Sequence, residues 1–167
     1  LGVFLLQNEM KARFGHPASR VRGRVRKMKG TFSGGTAASL KATPAAAANE
    51  PGVLDLLRDP FALTPGFTGP RQPSGSKPMV DEALGEGVWV APFVMAAINT
   101  RNVHRSNFLL GHAYGSDFVY DEMLVTGPGA KGEAIANAVA SDKSLGSDAG
   151  PKPGQGPSRE EPDAAHY

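Results

Sequence analysis

The chain has no cysteine, and this absence removes several kinds of chemistry at once. Without a thiol there is no disulfide bond, no thiolate ligand for zinc and no cysteine nucleophile. Histidine is also scarce, and the nearest two of the four, His104 and His112, lie eight residues apart, which matches no metal-binding motif. We therefore expect no metal site, and the composition fits a reducing compartment.

Long apolar runs are missing as well. No stretch approaches the length of a membrane span, and no basic segment followed by an apolar run and a small-residue cleavage site marks a signal peptide. The first residue is Leu1 rather than methionine, in the middle of a helical pattern, which suggests a start inside a longer protein. We expect a cytoplasmic protein, with peripheral association with membranes or lipid left open.

Acidic residues are almost absent from the first third of the chain. Glu9 is the only acid before residue 50, whereas eight of the eighteen basic residues lie between Lys11 and Lys29. Strict alternation over Arg20–Arg26 predicts a strand with four arginines on one face. That face is either solvated, bridged to acidic neighbours, or a surface for nucleic acid or anionic membrane. No aromatic residue is interleaved for base stacking, which favours the first two alternatives.

Glycine and proline are abundant instead, with 21 and 14 of the 167 residues. A hydrophobic content of 40% supports one packed core, but this much glycine and proline requires long irregular segments. Residues 62–87 are predicted to be a long loop or lid, and residues 146–167 a Gly/Pro-rich acidic tail. The packed elements then fall into two segments, 1–61 and 88–145.

The apolar periodicity predicts the packed elements. An amphipathic helix is expected over 1–14, a helix after the glycines near residue 34, a short helix over 53–58, a strand over 118–125 and a helix over 133–140. The inward residues are expected to be Val3, Leu6, Met10 and Phe14 in the first helix and Ala134, Ile135, Ala138 and Val139 in the last.

The stretch Pro92–Gly115 combines an apolar half with a strongly polar half. Pro92 suits a first helical turn and Gly111 a helix end. Phe93, Ala96, Ala97, Val103 and Leu110 can share one stripe, while amides, hydroxyls, arginines and His104 crowd the remaining surface. The polar half is either a solvated face or the wall of a polar cavity.

Two glycine-rich segments could bind an anion. Ser33-Gly34-Gly35-Thr36 precedes a helix, so its amides could hold a polar ligand group, or its hydroxyls could simply cap the helix. Gly127–Gly132 matches G-x-G-x-x-G formally, but the strand before it carries Tyr120, Asp121 and Glu122. Because the first strand of a dinucleotide-binding unit is almost entirely apolar, this segment is better interpreted as a turn, and no cofactor-binding residue is expected here.

Taken together, the two most distinctive blocks resemble a known family. Lys29-Gly-Thr-Phe-Ser-Gly-Gly-Thr36 and Ala91-Pro-Phe-Val-Met-Ala-Ala-Ile-Asn-Thr-Arg-Asn-Val-His-Arg-Ser-Asn107, followed by Leu110-Gly-His-Ala-Tyr-Gly115 and Phe118-Val-Tyr-Asp-Glu122, are similar to the saccharopine dehydrogenase-like oxidoreductases. More narrowly, they resemble the branch that includes the mycobacterial trans-acting enoyl reductases. It implies an α+β fold, a mixed sheet with flanking helices, as the second domain of a Rossmann-type reductase.

The resemblance also implies a function. The parent protein would reduce a lipid-like enoyl substrate of polyketide or glycolipid biosynthesis with NADPH or NADH. Its N-terminal Rossmann domain is missing here, so this chain would be inactive alone. Further implied partners are a lipid surface and a second copy in a homodimer.

The donor-rich positions of the matched blocks are the expected substrate-binding residues, with no catalytic residue assigned. They are Ser33, Gly34, Gly35, Thr36, Asn99, Arg101, Asn107 and Tyr114. Because conjugate reduction develops negative charge on a carbonyl oxygen, the chemistry needs hydrogen-bond donors beside it.

Overall fold

A computed structural model describes residues 1–26 and 34–142. The remaining segments, which include Ser33 and the expected tail 146–167, lie outside the described residues. The helices are α1 (Gly2–Phe14), α2 (Gly34–Asn49), α3 (Pro51–Arg58), α4 (Ala96–Leu109) and α5 (Gly129–Ser141). The strands are β1 (Arg20–Val25), β2 (Met79–Val80), β3 (Val88–Pro92) and β4 (Val119–Pro128), with a 3-10 turn at Glu82–Leu84.

The four strands form one mixed sheet in the order β1-β4-β3-β2. β1 and β4 are parallel, which requires a long crossover between them, whereas β3 runs antiparallel to β4 and to β2. α4 packs against β4, and α5 packs against β3 and β4. The expected α+β class, a mixed sheet with flanking helices, is confirmed.

The main apolar cluster contains residues of β1 and of the segment that leads into β4, the two strands that the crossover connects. Val21 of β1 packs with Tyr114, Phe118 and Tyr120, and residues of α1 and α4 contact this cluster from outside. Phe118 is only 1% exposed. The cluster therefore fixes α1 and α4 on one face of the β1–β4 pair.

The opposite face carries the arginines of β1, and they bridge to acids. Arg24 donates from Nε to an Asp81 carboxylate oxygen at 2.6 Å and lies 2.8 Å from Asp121. Both carboxylates are buried. Burial alone would raise the pKa of Asp81, but the hydrogen bond and charge of Arg24, with help from Ala83 and Arg22, hold that pKa below its ordinary value.

The long connection before β2 is packed rather than free. Phe61 and Thr64 are buried, and the Thr64 hydroxyl lies within 2.9 Å of the Phe67 carbonyl. Further along, Gln72 accepts a hydrogen bond from the Tyr120 amide at 2.9 Å and lies 3.3 Å from the Phe118 carbonyl. This amide side chain satisfies the β4 backbone on the edge away from β1, before the pairing with β3 begins at Met123. The expected loop 62–87 also contains β2 and the 3-10 turn.

Two expected helix faces are correct only in part. In α1, Val3 packs against the main apolar cluster, but Leu6 and Phe14 are exposed, and the buried residue is Gln7, whose amide side chain bonds to both the backbone N–H and C=O of Ala18. In α5, Val139 is half-buried, but Ala134, Ile135 and Ala138 are exposed, and the buried residues are Gly132 and Ala136. The buried positions include a polar residue in α1 and a glycine in α5, which apolar periodicity does not report.

The start of the central helix also differs from the prediction. Pro92 ends β3, where it pairs with Met123, and α4 begins only at Ala96. Among the residues expected on the polar surface, His104 and Asn107 are instead the buried residues of α4. The helix ends close to the expected position, with Gly111 at φ 62° just beyond it.

His104 is buried among aromatic rings. Its ring centroid lies 4.5 Å from that of Phe61 and 6.0 Å from that of Phe118, and Nε2 finds no hydrogen-bond partner among the described residues. Burial lowers the pKa of His104 to about 4. The ring is therefore neutral and acts as an aromatic core residue.

Replacing Arg24 by methionine should lower the free energy of unfolding by about 3 kcal/mol or more, because two buried carboxylates lose their shared cation. Arg22→Met is the matched control: this side chain is 38% exposed, so its loss should cost less than about 1 kcal/mol. Urea unfolding of both variants measures the difference. Equal losses would contradict the assigned role of Arg24.

His104 should make stability depend on pH. Because its pKa is about 4 in the fold and 6.5 ordinarily, the unfolded chain binds a proton before the folded chain does as pH falls from 6.5. The free energy of unfolding should decrease over pH 6.5 to 4, by up to about 1.4 kcal/mol per pH unit from this group.

The His104→Phe variant should flatten this dependence, whereas His16→Phe, at an exposed position, should not. Urea titrations at pH 4.5, 5.5, 6.5 and 7.5 make the comparison. A wild-type slope in His104→Phe would show that another group is responsible.

Candidate functional site

A groove of about 660 Å³ lies between α1 and α4, on the face of the sheet opposite the arginines. Residues of α4 at helical spacing form one wall, and the first residues of the chain form the other. The apolar lining residues are Leu1, Val3, Phe4, Val103, Leu109 and Leu110, and the polar ones are Asn99, Asn102, Ser106, Tyr114, Tyr120 and Glu122. The walls of the groove are thus largely apolar, with Asn102 and Ser106 as polar residues of the α4 wall, and its floor is polar.

The floor contains a connected set of three side chains from β4 and α4. Asn99 donates to one oxygen of Glu122 at 2.6 Å, and the Tyr120 hydroxyl donates to the other at 3.1 Å. Tyr120 and Glu122 are two residues apart on β4 and therefore face the same side of the sheet. The two hydrogen bonds fix the position of the carboxylate in the groove.

Gly23 of β1 makes space for this set. It is the lateral neighbour of Glu122 in the parallel register. A methyl group at Gly23 would lie 2.9 Å from Glu122 Cγ and 3.0 Å from the Tyr120 hydroxyl. Any larger residue would displace Glu122 and Tyr120, so this position of β1 requires glycine.

Burial and the neighbouring carboxylate keep both floor tyrosines protonated. Burial raises the pKa of Tyr120, and the charge of Glu122 together with its hydrogen bond raises it further. Burial also raises the pKa of Tyr114. Both hydroxyls are therefore neutral hydrogen-bonding groups at physiological pH.

Two groove residues have unused polar groups. The Tyr114 hydroxyl and the Asn102 side-chain amide form no hydrogen bond with any described residue. Both line the groove, and both can donate a hydrogen bond. They are the groups here that a ligand oxygen could engage.

The sequence-predicted site residues fall into separate places. Asn99 and Tyr114 share the groove. Arg101 lies instead in a smaller hollow of about 220 Å³ and donates to the carbonyls of Leu57 and Asp59 at the end of α3.

Asn107 has a structural role. It is 3% exposed, and its side chain bonds to the Tyr114 amide and the Gly115 carbonyl, both at 2.8 Å. It thereby holds the turn that places Tyr114 in the groove. Gly34, Gly35 and Thr36 form the first turn of α2, and Ser33 lies outside the described residues.

Sequence reasoning missed Tyr120 and Glu122. Their presence in β4 counted only against a dinucleotide-binding strand, although their i, i+2 spacing placed both on one face. It also left out Asn102 and Ser106, which lie at positions i+3 and i+7 from Asn99 on the same stripe of α4. The i, i+2 spacing in β4 and the i, i+3, i+7 spacing in α4 are the sequence features from which these residues could have been predicted.

The G-x-G-x-x-G segment forms the end of β4 and the first turn of α5. The Gly129 amide, at the start of α5, donates to the Gly87 carbonyl at 3.0 Å. A methyl group at Gly132 would lie 1.9 Å from the Gly127 carbonyl oxygen, so this glycine permits contact of the helix with its own preceding turn.

Residues 1–26 and 34–142 contain no group of three or more potential metal-binding side chains. None of the helices in this part of the chain combines the length and apolar character needed to cross a membrane.

Comparison with curated proteins links the chain to mycobacterial enzymes. It is 35% identical over 166 residues to a protein of Mycobacterium tuberculosis (strain ATCC 25618 / H37Rv) named as a candidate trans-acting enoyl reductase. That match covers 86% of this chain and 39% of the relative. It is also 32% identical over 158 residues to the trans-acting enoyl reductase of Mycobacterium ulcerans (strain Agy99), covering 81% of this chain and 38% of that protein.

No family model matches the chain, and no solved structure matches it. The chain spans about two fifths of the length of the curated relatives it matches. Over most of its own length it is therefore a homologue of proteins named trans-acting enoyl reductases, which supports an enoyl reductase-like role.

Proposed function

We propose that this chain is the substrate-binding part of an NAD(P)H-dependent enoyl reductase that acts on a lipid-like acyl substrate. The observation that carries the proposal is a groove with apolar walls and a polar floor, in a chain that matches named enoyl reductases over 86% of its length. It is proposed to be the second domain of a Rossmann-type, saccharopine dehydrogenase-like architecture.

The groove has the size and lining that an acyl chain requires. Its volume of about 660 Å³ lies within the usual range of small-molecule sites. Val3 and Phe4 of α1 line it together with Val103 of α4 and Leu110, which follows α4 directly. Each methylene of a bound chain removed from water contributes about 0.8 kcal/mol, so a medium-length chain gains several kcal/mol.

The floor would hold the polar end of the substrate. Tyr114 and Asn102 supply the free donors, and Asn99 acts by fixing Glu122. Asn99 is thus a positioning residue in this proposal, and its own second amide hydrogen also remains available to the groove.

Cofactor binding is assigned to sequence outside this chain. The Gly129 amide is already bonded to the Gly87 carbonyl, and the chain spans only 39% of its M. tuberculosis relative. The proposal therefore requires a nicotinamide-binding domain elsewhere in the parent protein, and the isolated chain should be inactive. An in-frame strand, G-x-G-x-x-G turn and helix encoded before Leu1 is the expected finding.

The Asn99→Ala variant of the parent protein should lose about tenfold or more in kcat/KM for an enoyl thioester, because the floor carboxylate loses its fixed position. The assay follows thioester-dependent NADPH oxidation by absorbance under saturating NADPH. Asn137→Ala, an exposed asparagine of α5, is the matched control and should retain wild-type kinetics.

Two results would count against the proposal. If the wild-type parent protein oxidises no NADPH with any medium-chain enoyl thioester, the reductase assignment is wrong. If the reductase is active but Asn99→Ala and Asn137→Ala behave alike, the α1–α4 groove is not the substrate site.

A further inference from the structure

We infer that the groove between α1 and α4 selects an alkyl chain that carries a hydroxyl group, and that Glu122 is the residue that imposes this choice. The inference extends the proposed function and rests on it in one respect, namely that the occupant of the groove is the substrate. It identifies the substrate class as hydroxylated acyl chains.

The first step is the charge on the groove floor. Glu122 lies in the groove and forms no ion pair with any lysine or arginine among the described residues. Its immediate neighbour Asp121 has two arginine partners on the opposite face. Among the described residues, no cation pairs with this carboxylate in the groove.

The second step is the unused hydrogen-bonding capacity of this carboxylate. A carboxylate has about four acceptor positions, and Asn99 and Tyr120 occupy one on each oxygen. The remaining positions can accept hydrogen bonds from a ligand. A ligand that carries a donor is favoured, and one that carries only acceptors is not.

The third step is the presence of donors in the same groove. The Tyr114 hydroxyl and the Asn102 amide line it without a partner among the described residues. A ligand hydroxyl is both a donor and an acceptor, so it can pair with Glu122 and with one of these two groups. The apolar walls contact the alkyl chain attached to that hydroxyl.

Other head groups match the groove less well. A ligand carboxylate could accept from Tyr114 and Asn102, but it would lie beside the charge of Glu122. A ligand ammonium would pair with Glu122 and leave the two free donors without an acceptor. A saturated hydrocarbon would leave Glu122, Tyr114 and Asn102 without a ligand partner.

The experiment titrates this chain by calorimetry with 1-decanol, decanoate and decylamine, each below its aggregation concentration. We expect 1-decanol to bind roughly tenfold more tightly than decanoate, and more tightly than decylamine. Glu122→Gln keeps the side-chain length and removes the charge. In this variant the preference for 1-decanol over decanoate should fall to less than about threefold.

Two control variants separate specificity from folding. Glu86→Gln, an exposed glutamate outside the groove, should leave the preference unchanged. Leu109→Ala removes a groove side chain that is 65% exposed, so the fold should tolerate it, while affinity for all three ligands falls by a similar factor. This variant identifies the groove as the binding site even if Glu122→Gln unfolds.

Several outcomes would overturn the inference. These are tighter binding of decanoate or decylamine than of 1-decanol, an unchanged preference in folded Glu122→Gln, or no binding of 1-decanol up to its solubility. Since the titration uses no cofactor and no enoyl group, it can fail while the parent protein still reduces enoyl thioesters. Conversely, if the parent protein proves not to be a reductase, the measured binding preference would still stand.

Discussion

The buried contact of Arg24 with Asp81 and Asp121 is the interaction on which the rest of the structure depends. It joins β1, β4 and the segment after β2, which together span the whole sheet. Because neither carboxylate is tolerable in a buried position without a cation, the guanidinium has to lie between them. This requirement fixes the register of β1 against β4. In that register Gly23 is placed beside Glu122, where the groove needs a residue without a side chain.

Because side chains alternate along a strand, the adjacent acids Asp121 and Glu122 of β4 lie on opposite faces of the sheet. Asp121 faces the arginines, whereas Glu122 faces the groove and is held only by neutral donors. Among the described residues, Arg20, Arg22 and Arg24 pair with Asp81 and Asp121 on one face of the β1–β4 pair, whereas the carboxylate of Glu122 under the groove pairs with no cation. Departures from local electrostatic pairing are expected at functional sites. This contrast is the physical basis for assigning the ligand site to the groove face rather than to the arginine face.

The helix α4 shows how one element can serve three environments. Asn99, Asn102, Val103 and Ser106 face the groove, His104 and Asn107 face the core, and Arg101 reaches the end of α3. Residue type alone placed Asn99, Arg101 and Asn107 in one site. The structure separates them because each residue advances about 100° around the helix axis, so positions two residues apart point in different directions. Of these three residues, only Asn99 lies on the side of the helix that lines the groove.

The sequence by itself determined the presence and order of most elements, because apolar periodicity, glycine and proline are local signals. It also determined the two-faced character of β1, since alternation places all its arginines on one side. Tertiary structure decided which carboxylates those arginines meet, that Gln7 and Gly132 rather than leucine and isoleucine make the close helix contacts, and that Tyr120 and Glu122 form the groove floor. The arginine–carboxylate contacts and the packing of Gly23 beside the groove floor depend on parallel pairing between strands almost a hundred residues apart. No local pattern encodes that register, so these contacts could not be predicted from the sequence.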